Sequence, residues 1–208
     1  MSVPKAVIFD YGNVLSLEQS KSAAEEMARL CHMDLQDFEK HYWDLRLDYD
    51  RGDFDGVGYW QKVGERGGAT LSPAEIQKLI DIDNRSWSHP NEEILRWARA
   101  LKANGTKLAI LSNMPIDFRR FLSTGCPWLP AFDQHTYSCE LHIVKPDAGI
   151  YEFCLQGLGV EPGQAVFIDD RAVNIEAAQR LGIEGIHFTS TETVVAQLKS
   201  MFNLQVPA

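Results

Sequence analysis

Three short stretches of this chain, KAVIFD (5–10), TKLAILSN (106–113) and AVFIDD (165–170), are apolar without interruption and stop at polar groups: Asp10, Ser112 with Asn113, and Asp169 with Asp170. A strand with one wet face alternates apolar and polar residues, whereas a strand apolar at every position has to be covered on both faces, as in a parallel sheet flanked by helices. GIHF, around Gly185, is a fourth candidate strand. Helical periodicity fills the intervals: EEILRWARALKANG closes at Asn104-Gly105, DAGIYEFCLQGLG at Gly157 and Gly159, and NIEAAQRLGI at Gly182, each glycine a natural helix stop. Strand and helix in alternation predict an α/β fold, a Rossmann-like doubly wound parallel sheet.

Residues 16–94 break that rhythm. They hold no strand-like run but carry helix patterns at Glu18–Leu30, Leu35–Leu47, Asp55–Gly64 and Pro73–Asp83, the last opened by Ser72 and Glu75 at capping-box spacing. The stretch YDRGDFDG (49–56) reads as the most polar turn between two of them. The expected organisation is a core from residues 1–15 and 95–208 with a smaller all-helical unit inserted as 16–94.

Charge and cysteine usage narrow the function. A formal charge of −9 with no Lys/Arg-rich block argues against nucleic acid or an anionic membrane as partner, and a small anionic substrate would need a local cation. Cys31, Cys126, Cys139 and Cys154 show neither zinc-ligand nor disulfide spacing, so a reducing cytoplasm is expected. The N-terminal MSVPKAVIFD reads as a strand rather than a leader, and no apolar stretch approaches the roughly 20 residues of a membrane span.

Open parallel sheets bind ligands beyond the carboxyl ends of their strands, and Asp10, Ser112, Asp169 and Asp170 all stand there. Three carboxylates brought to one partly buried rim would repel one another unless a cation lay between them. Hard oxygen donors without His or Cys favour Mg²⁺, which takes one or two carboxylates and leaves room for a phosphate oxygen. Lys145, in HIVKPDAGIY, sits just before a helix start marked by Pro146 and Asp147, free to point at the same rim.

These four segments, FDYGNVL with Asp10, AILSN with Ser112, IVKPDAGIY with Lys145 and VFIDDRAVN with Asp169 and Asp170, resemble in order the four motifs of the haloacid dehalogenase-like hydrolase superfamily, and the helical insert resembles that family's cap domain. The resemblance implies Asp10 as nucleophile and a Mg²⁺ ion held by Asp10, the Gly12 carbonyl and the Asp169/Asp170 pair, with Asp170 first for direct contact. It further implies Gly12, Asn13, Ser112 and Asn113 as phosphate-binding groups, Lys145 neutralising charge on nucleophile and phosphate, and Asn174 steadying the metal-side loop. The chemistry stands on its own terms, because phosphoryl transfer asks chiefly for positioning and charge neutralisation, and a carboxylate nucleophile divides hydrolysis into two steps.

Most family phosphatases carry a second aspartate two positions after the nucleophile, and this chain has Gly12. General acid–base help is commonly worth about 10² to 10⁴ in rate, so three readings remain open: a Mg²⁺-dependent phosphatase for a small phosphorylated metabolite, similar to sugar-phosphate phosphatases acting on glucose 1-phosphate and drawing its proton from elsewhere; a phosphate-binding regulatory protein of low turnover; or a metal-independent haloacid dehalogenase. Trp43, Arg46 and Arg51 are the candidates for substrate selection from the cap, while Tyr42, Tyr49, Tyr59 and Trp60 are expected mainly to pack.

Overall fold

The computed structural model describes residues 3–203; residues 1–2 and 204–208, expected to complete the core segments, lie outside that range. The three uninterrupted apolar runs form β1 (Ala6–Phe9), β2 (Lys107–Ser112) and β4 (Ala165–Asp169). They lie side by side in a five-stranded, wholly parallel sheet of order β3-β2-β1-β4-β5, with β3 at Gln134–Tyr137 and β5 at Glu184–His187. Successive side chains enter two different cores. Val7, Phe9, Leu108, Ile110, Val166 and Ile168 pack on one face against α5 (Glu92–Ala103) and α10 (Thr191–Phe202). Ala6, Ile8, Ala109, Leu111, Ala165 and Phe167 pack on the other against α8 (Ala148–Leu158) and α9 (Ala172–Arg180). Each fully buried large aliphatic or aromatic side chain contributes about 1.5–3 kcal/mol, which is why the interior positions of β1, β2 and β4 are all apolar.

Between β1 and α5 the chain leaves the sheet. Leu17 N–H donates to His89 O at 2.8 Å and Asn91 N–H to Leu15 O at 2.9 Å, with Ser16 facing Pro90. This two-strand stalk carries α1 (Lys21–Leu30), α2 (Leu35–Arg51), α3 (Gly56–Arg66) and α4 (Pro73–Ser86), which enclose their own apolar cluster. Ser72 and Glu75 make the reciprocal bonds of a capping box at the start of α4. Ile94 belongs to the sheet's core, so the helical unit ends at the stalk, a few residues before the expected 94/95 boundary. None of the helices among the described residues is long and apolar enough to cross a membrane.

Two local readings differ from the structure. The YDRGDFDG stretch is not all turn: α2 runs on through Tyr49, Asp50 and Arg51 and stops at Gly52, whose φ of +87° supplies the left-handed residue a helix end needs. Gly157 lies inside α8, where a Cβ would collide with the Gln134 side chain, and the actual stop is Gly159 at φ +62°.

Candidate active site

β1 delivers Asp10, which is 7% exposed, and β4 delivers the wholly buried Asp169, followed by the half-buried Asp170. The neighbouring positions of β1 and β4 in the sheet bring their ends together, and Asp10 N–H donates to Ile168 O at 2.8 Å. Carboxylate oxygens of Asp10, Asp169 and Asp170 lie within 4.8 Å of one another. Lys145, from the loop before α8, reaches in between, with Nζ 2.8 Å from Asp10 Oδ1 and 2.7 Å from Asp169 Oδ2.

The three acids are held differently. Asp169 accepts from Lys145, from Arg171 N–H at 2.8 Å and, on both oxygens, from Asn174 Nδ2 at 2.9 and 3.1 Å. Asp10 accepts from Tyr11 N–H at 2.6 Å besides Lys145, and Asp170 accepts from Asn13 Nδ2 at 2.8 Å. Burial, against the pull of Lys145 and with Asp169 and Asp170 adding to it, pushes the Asp10 carboxyl up to about 7. Burial would also raise Asp169, but Lys145 and the donated hydrogen bonds outweigh it and hold it below the usual carboxylate range. Burial on its own would lower Lys145, yet Asp10 and Asp169 hold the ammonium above its ordinary value.

The residue chemistry fits a divalent cation. One ammonium faces three carboxylates, all donors nearby are hard oxygens, and Asn13 Oδ1 is buried at the same rim without a hydrogen-bond partner among the described residues. Asp169 has little capacity left for a further partner, so Asp10 and Asp170 are the better placed for direct contact.

From β2, Ser112 is 3% exposed, and its hydroxyl makes one long 3.5 Å bond, to Asn113 O; it is available to a ligand. The Asn113 side chain braces Lys145, accepting from its backbone N–H at 2.8 Å and donating to its carbonyl at 3.1 Å, while Asn113 also lines the cavity at this rim. Asn174 Nδ2 holds the Asp169 carboxylate, and the Asn174 backbone carbonyl accepts from Tyr151 OH at 3.0 Å.

Asp10, Asp170, Lys145, Ser112, Asn113 and Asn174 line a cavity of about 560 Å³, as do Gly12, Asn13 and, from the helical unit, Trp43 and Arg46. Arg51 does not reach it, since its guanidinium is taken by Asp48 and Asp53 on the exposed side of α2. Tyr42, Tyr49, Tyr59 and Trp60 are buried in mutual ring contacts. Arg46 is buried as well, its Nε 2.8 Å from Asp50 Oδ1 and its Nη1 3.2 Å from Asp83 Oδ2, a cation already matched by two carboxylates. Among the lining groups that sequence reasoning missed are Asp50, Trp87 and Phe118. None carries a motif, and they meet only because α2, α4 and α6 (Ile116–Gly125) converge over the rim.

A parallel sheet whose strand ends bring a carboxylate cluster and a buried lysine under a helical unit marks a Rossmann-like α/β protein with an acidic site at its rim. The chain belongs to the haloacid dehalogenase-like hydrolase family, whose model matches residues 4–182. It is 23% identical over 202 residues to a sesquiterpene phosphatase of Aspergillus oryzae, covering 95% of this chain and 96% of that protein. It is 37% identical over 105 residues to acyl-CoA dehydrogenase family member 10 of Mus musculus, which is 49% of this chain but only 9% of that protein. The bifunctional epoxide hydrolase 2 of Sus scrofa is likewise matched over 27% of its length, so the chain spans a small part of these longer relatives. Among solved structures, a family enzyme of Bacteroides thetaiotaomicron, in complex with magnesium and inorganic phosphate, superposes with TM-score 0.74 at 21% identity over 88% of this chain and 93% of that one. The L-2-haloacid dehalogenase of Xanthobacter autotrophicus, with chloropropionic acid covalently bound, does so with TM-score 0.69 at 18% identity over 99% and 85%.

Proposed function

We propose that the chain is a magnesium-dependent phosphatase for small organic phosphates, acting through a phosphoryl group carried on Asp10, with α1–α4 as its cap. The observation that carries this reading is the gathering of three carboxylates and one ammonium at a single rim. With the acids ionised such a rim repels a phosphate dianion, and a dehalogenase that needs no metal would have no use for it. Asp10, Asp170 and the Gly12 carbonyl would hold the cation, which when bound neutralises charge on the nucleophile and the transferring group. Asp10 attacks phosphorus, Lys145 offsets charge between nucleophile and phosphate, Ser112 donates to a phosphoryl oxygen, and Asp169 and Asn174 keep lysine and loop in register.

The cavity's outer walls bear on the leaving group. Trp43 and Leu47 of α2, Trp87 after α4, and Met114 and Phe118 around the start of α6 are apolar, and Arg46 is already neutralised. We therefore favour a neutral leaving group with an apolar or aromatic face over a second anion or a bare sugar; the likeness to a sesquiterpene phosphatase supports the same choice. Hydrolysis of p-nitrophenyl phosphate with and without Mg²⁺, beside halide release from 2-chloropropionate, tests the reading. Phosphate release only with the metal is expected, and halide release without it would overturn the assignment.

A further inference from the structure

Gly12 is not imposed by the backbone. Its φ and ψ, −62° and 133°, are open to any residue, and a Cβ there would touch only the Trp87 ring, at 3.6 Å. The missing second acid is therefore a real vacancy in the chemistry, and the groups beyond Trp87 suggest what fills it. The Arg46 guanidinium lies over the Trp87 ring, 5.9 Å from its centroid, and its Nε is bonded to Asp50, a carboxylate that also lines the cavity.

From this arrangement we infer that Asp50, on the cap helix α2, supplies the acid and base that position 12 lacks, an inference resting on the phosphatase reading above. Two buried carboxylates share one guanidinium, so with both ionised one negative charge is left over. Asp83 is the better satisfied, accepting from Tyr42 OH at 2.8 Å, from Gln19 Nε2 at 3.4 Å and from Arg46 on both oxygens. Asp50 accepts one bond, from Arg46 Nε, and its second oxygen has no partner among the described residues. It is the carboxyl left to carry a proton. Burial pushes it up to about 6 against the pull of Arg46 and Lys145, with Asp83 pushing the same way and Tyr59 and Cys139 the other ionisable groups nearby. A carboxyl poised near neutrality can both give and take a proton.

Its place over the core is fixed. The Asp50 carbonyl accepts from Ser138 Oγ, and that oxygen accepts from Met114 N–H at 3.0 Å, two residues beyond Ser112. Tyr49 OH and Gly56 N–H, on either side, both donate to Asp117 at the start of α6, at 3.1 and 2.8 Å. In the first half-reaction Asp10 Oδ bonds to phosphorus as the bond to the leaving oxygen breaks, and the Asp50 proton passes to that oxygen, releasing the alcohol. In the second, the Asp50 carboxylate takes a proton from water as the water oxygen bonds to phosphorus and the Asp10–phosphorus bond breaks, which restores both groups and releases phosphate.

The test compares an alkyl phosphate with p-nitrophenyl phosphate, whose leaving group needs no proton, in Mg²⁺ buffer. Asp50→Asn should lower kcat/KM for the alkyl ester by about 10² to 10⁴ while sparing the aryl ester, which should instead give a burst of nitrophenolate followed by slowed turnover. Gly12→Asp in the same chain should restore the alkyl ester, whereas Asp83→Asn, which disturbs the same guanidinium without lining the cavity, should hit both esters alike. Equal losses in Asp50→Asn, or no rescue by Gly12→Asp, would overturn the inference. Should Asp50→Asn not fold, Gly12→Asp alone decides: little change in the alkyl-to-aryl ratio is expected where Asp50 already serves, and a large selective gain for the alkyl ester would refute it. Absence of metal-dependent turnover on either ester in the unaltered protein would instead refute the phosphatase reading itself.

Discussion

Replacing Lys145 by methionine removes the ammonium that pairs with the acid cluster while keeping most of the side chain's volume. Its Nζ stands 2.8 Å from Asp10 and 2.7 Å from Asp169. At an effective dielectric of about 20, one such pair is worth about 6 kcal/mol of Coulomb energy. Much of that offsets the cost of removing the charges from water, and the loss on deleting one partner of a buried pair is about 3–5 kcal/mol. In a chain of this length that lowers Tm by about 6–20 °C. The assay is urea unfolding of both proteins in metal-free buffer at pH 8, repeated at lower pH and with Mg²⁺. The deficit should shrink as the pH falls: Asp10 has a folded-state pKa of about 7, above the ordinary 3.8, even beside the lysine. Without it the pKa rises further, so the ionised carboxylate costs stability at high pH and protonation relieves that cost at low pH. Mg²⁺ should also return part of the loss. A deficit below about 1 kcal/mol at pH 8, the range of an exposed pair, or one that grows as the pH falls, would refute the electrostatic account.

The same charges govern metal affinity. Because a proton on Asp10 competes with the cation, Mg²⁺ binding followed by calorimetry should tighten as the pH rises from about 6 to 8 and should release protons; pH-independent binding would contradict this. Trp43 is 53% exposed and lines the cavity, so Trp43→Ala should leave stability within about 0.5 kcal/mol yet raise KM for phosphates with an aromatic leaving group more than for glycerol phosphate. An equal shift for both would remove Trp43 from substrate selection.

The rim was legible in the sequence because strands covered on both faces leave an uninterrupted apolar signature, and β1, β2 and β4 each end where that signature stops. β3 was not, since it is an edge strand reading QHTY whose first two residues are only half-buried, and its pairing with β2 is a tertiary fact. The last turn of α2 was lost because Asp, Arg and Gly together look like a turn, although Gly52 merely ends the helix. With that turn went Asp50. Arg46 and Arg51, equivalent by composition, separate only in three dimensions: one is buried between two carboxylates and the other pairs on the surface.

The central claim is that Asp10 carries the phosphoryl group. Rapid acid quenching of the protein during turnover of p-nitrophenyl phosphate with Mg²⁺, followed by peptide mass analysis, should find one added phosphoryl group on the peptide containing Asp10, absent from a folded Asp10→Asn variant. Continued turnover with no such adduct, or an adduct on another residue, would contradict it.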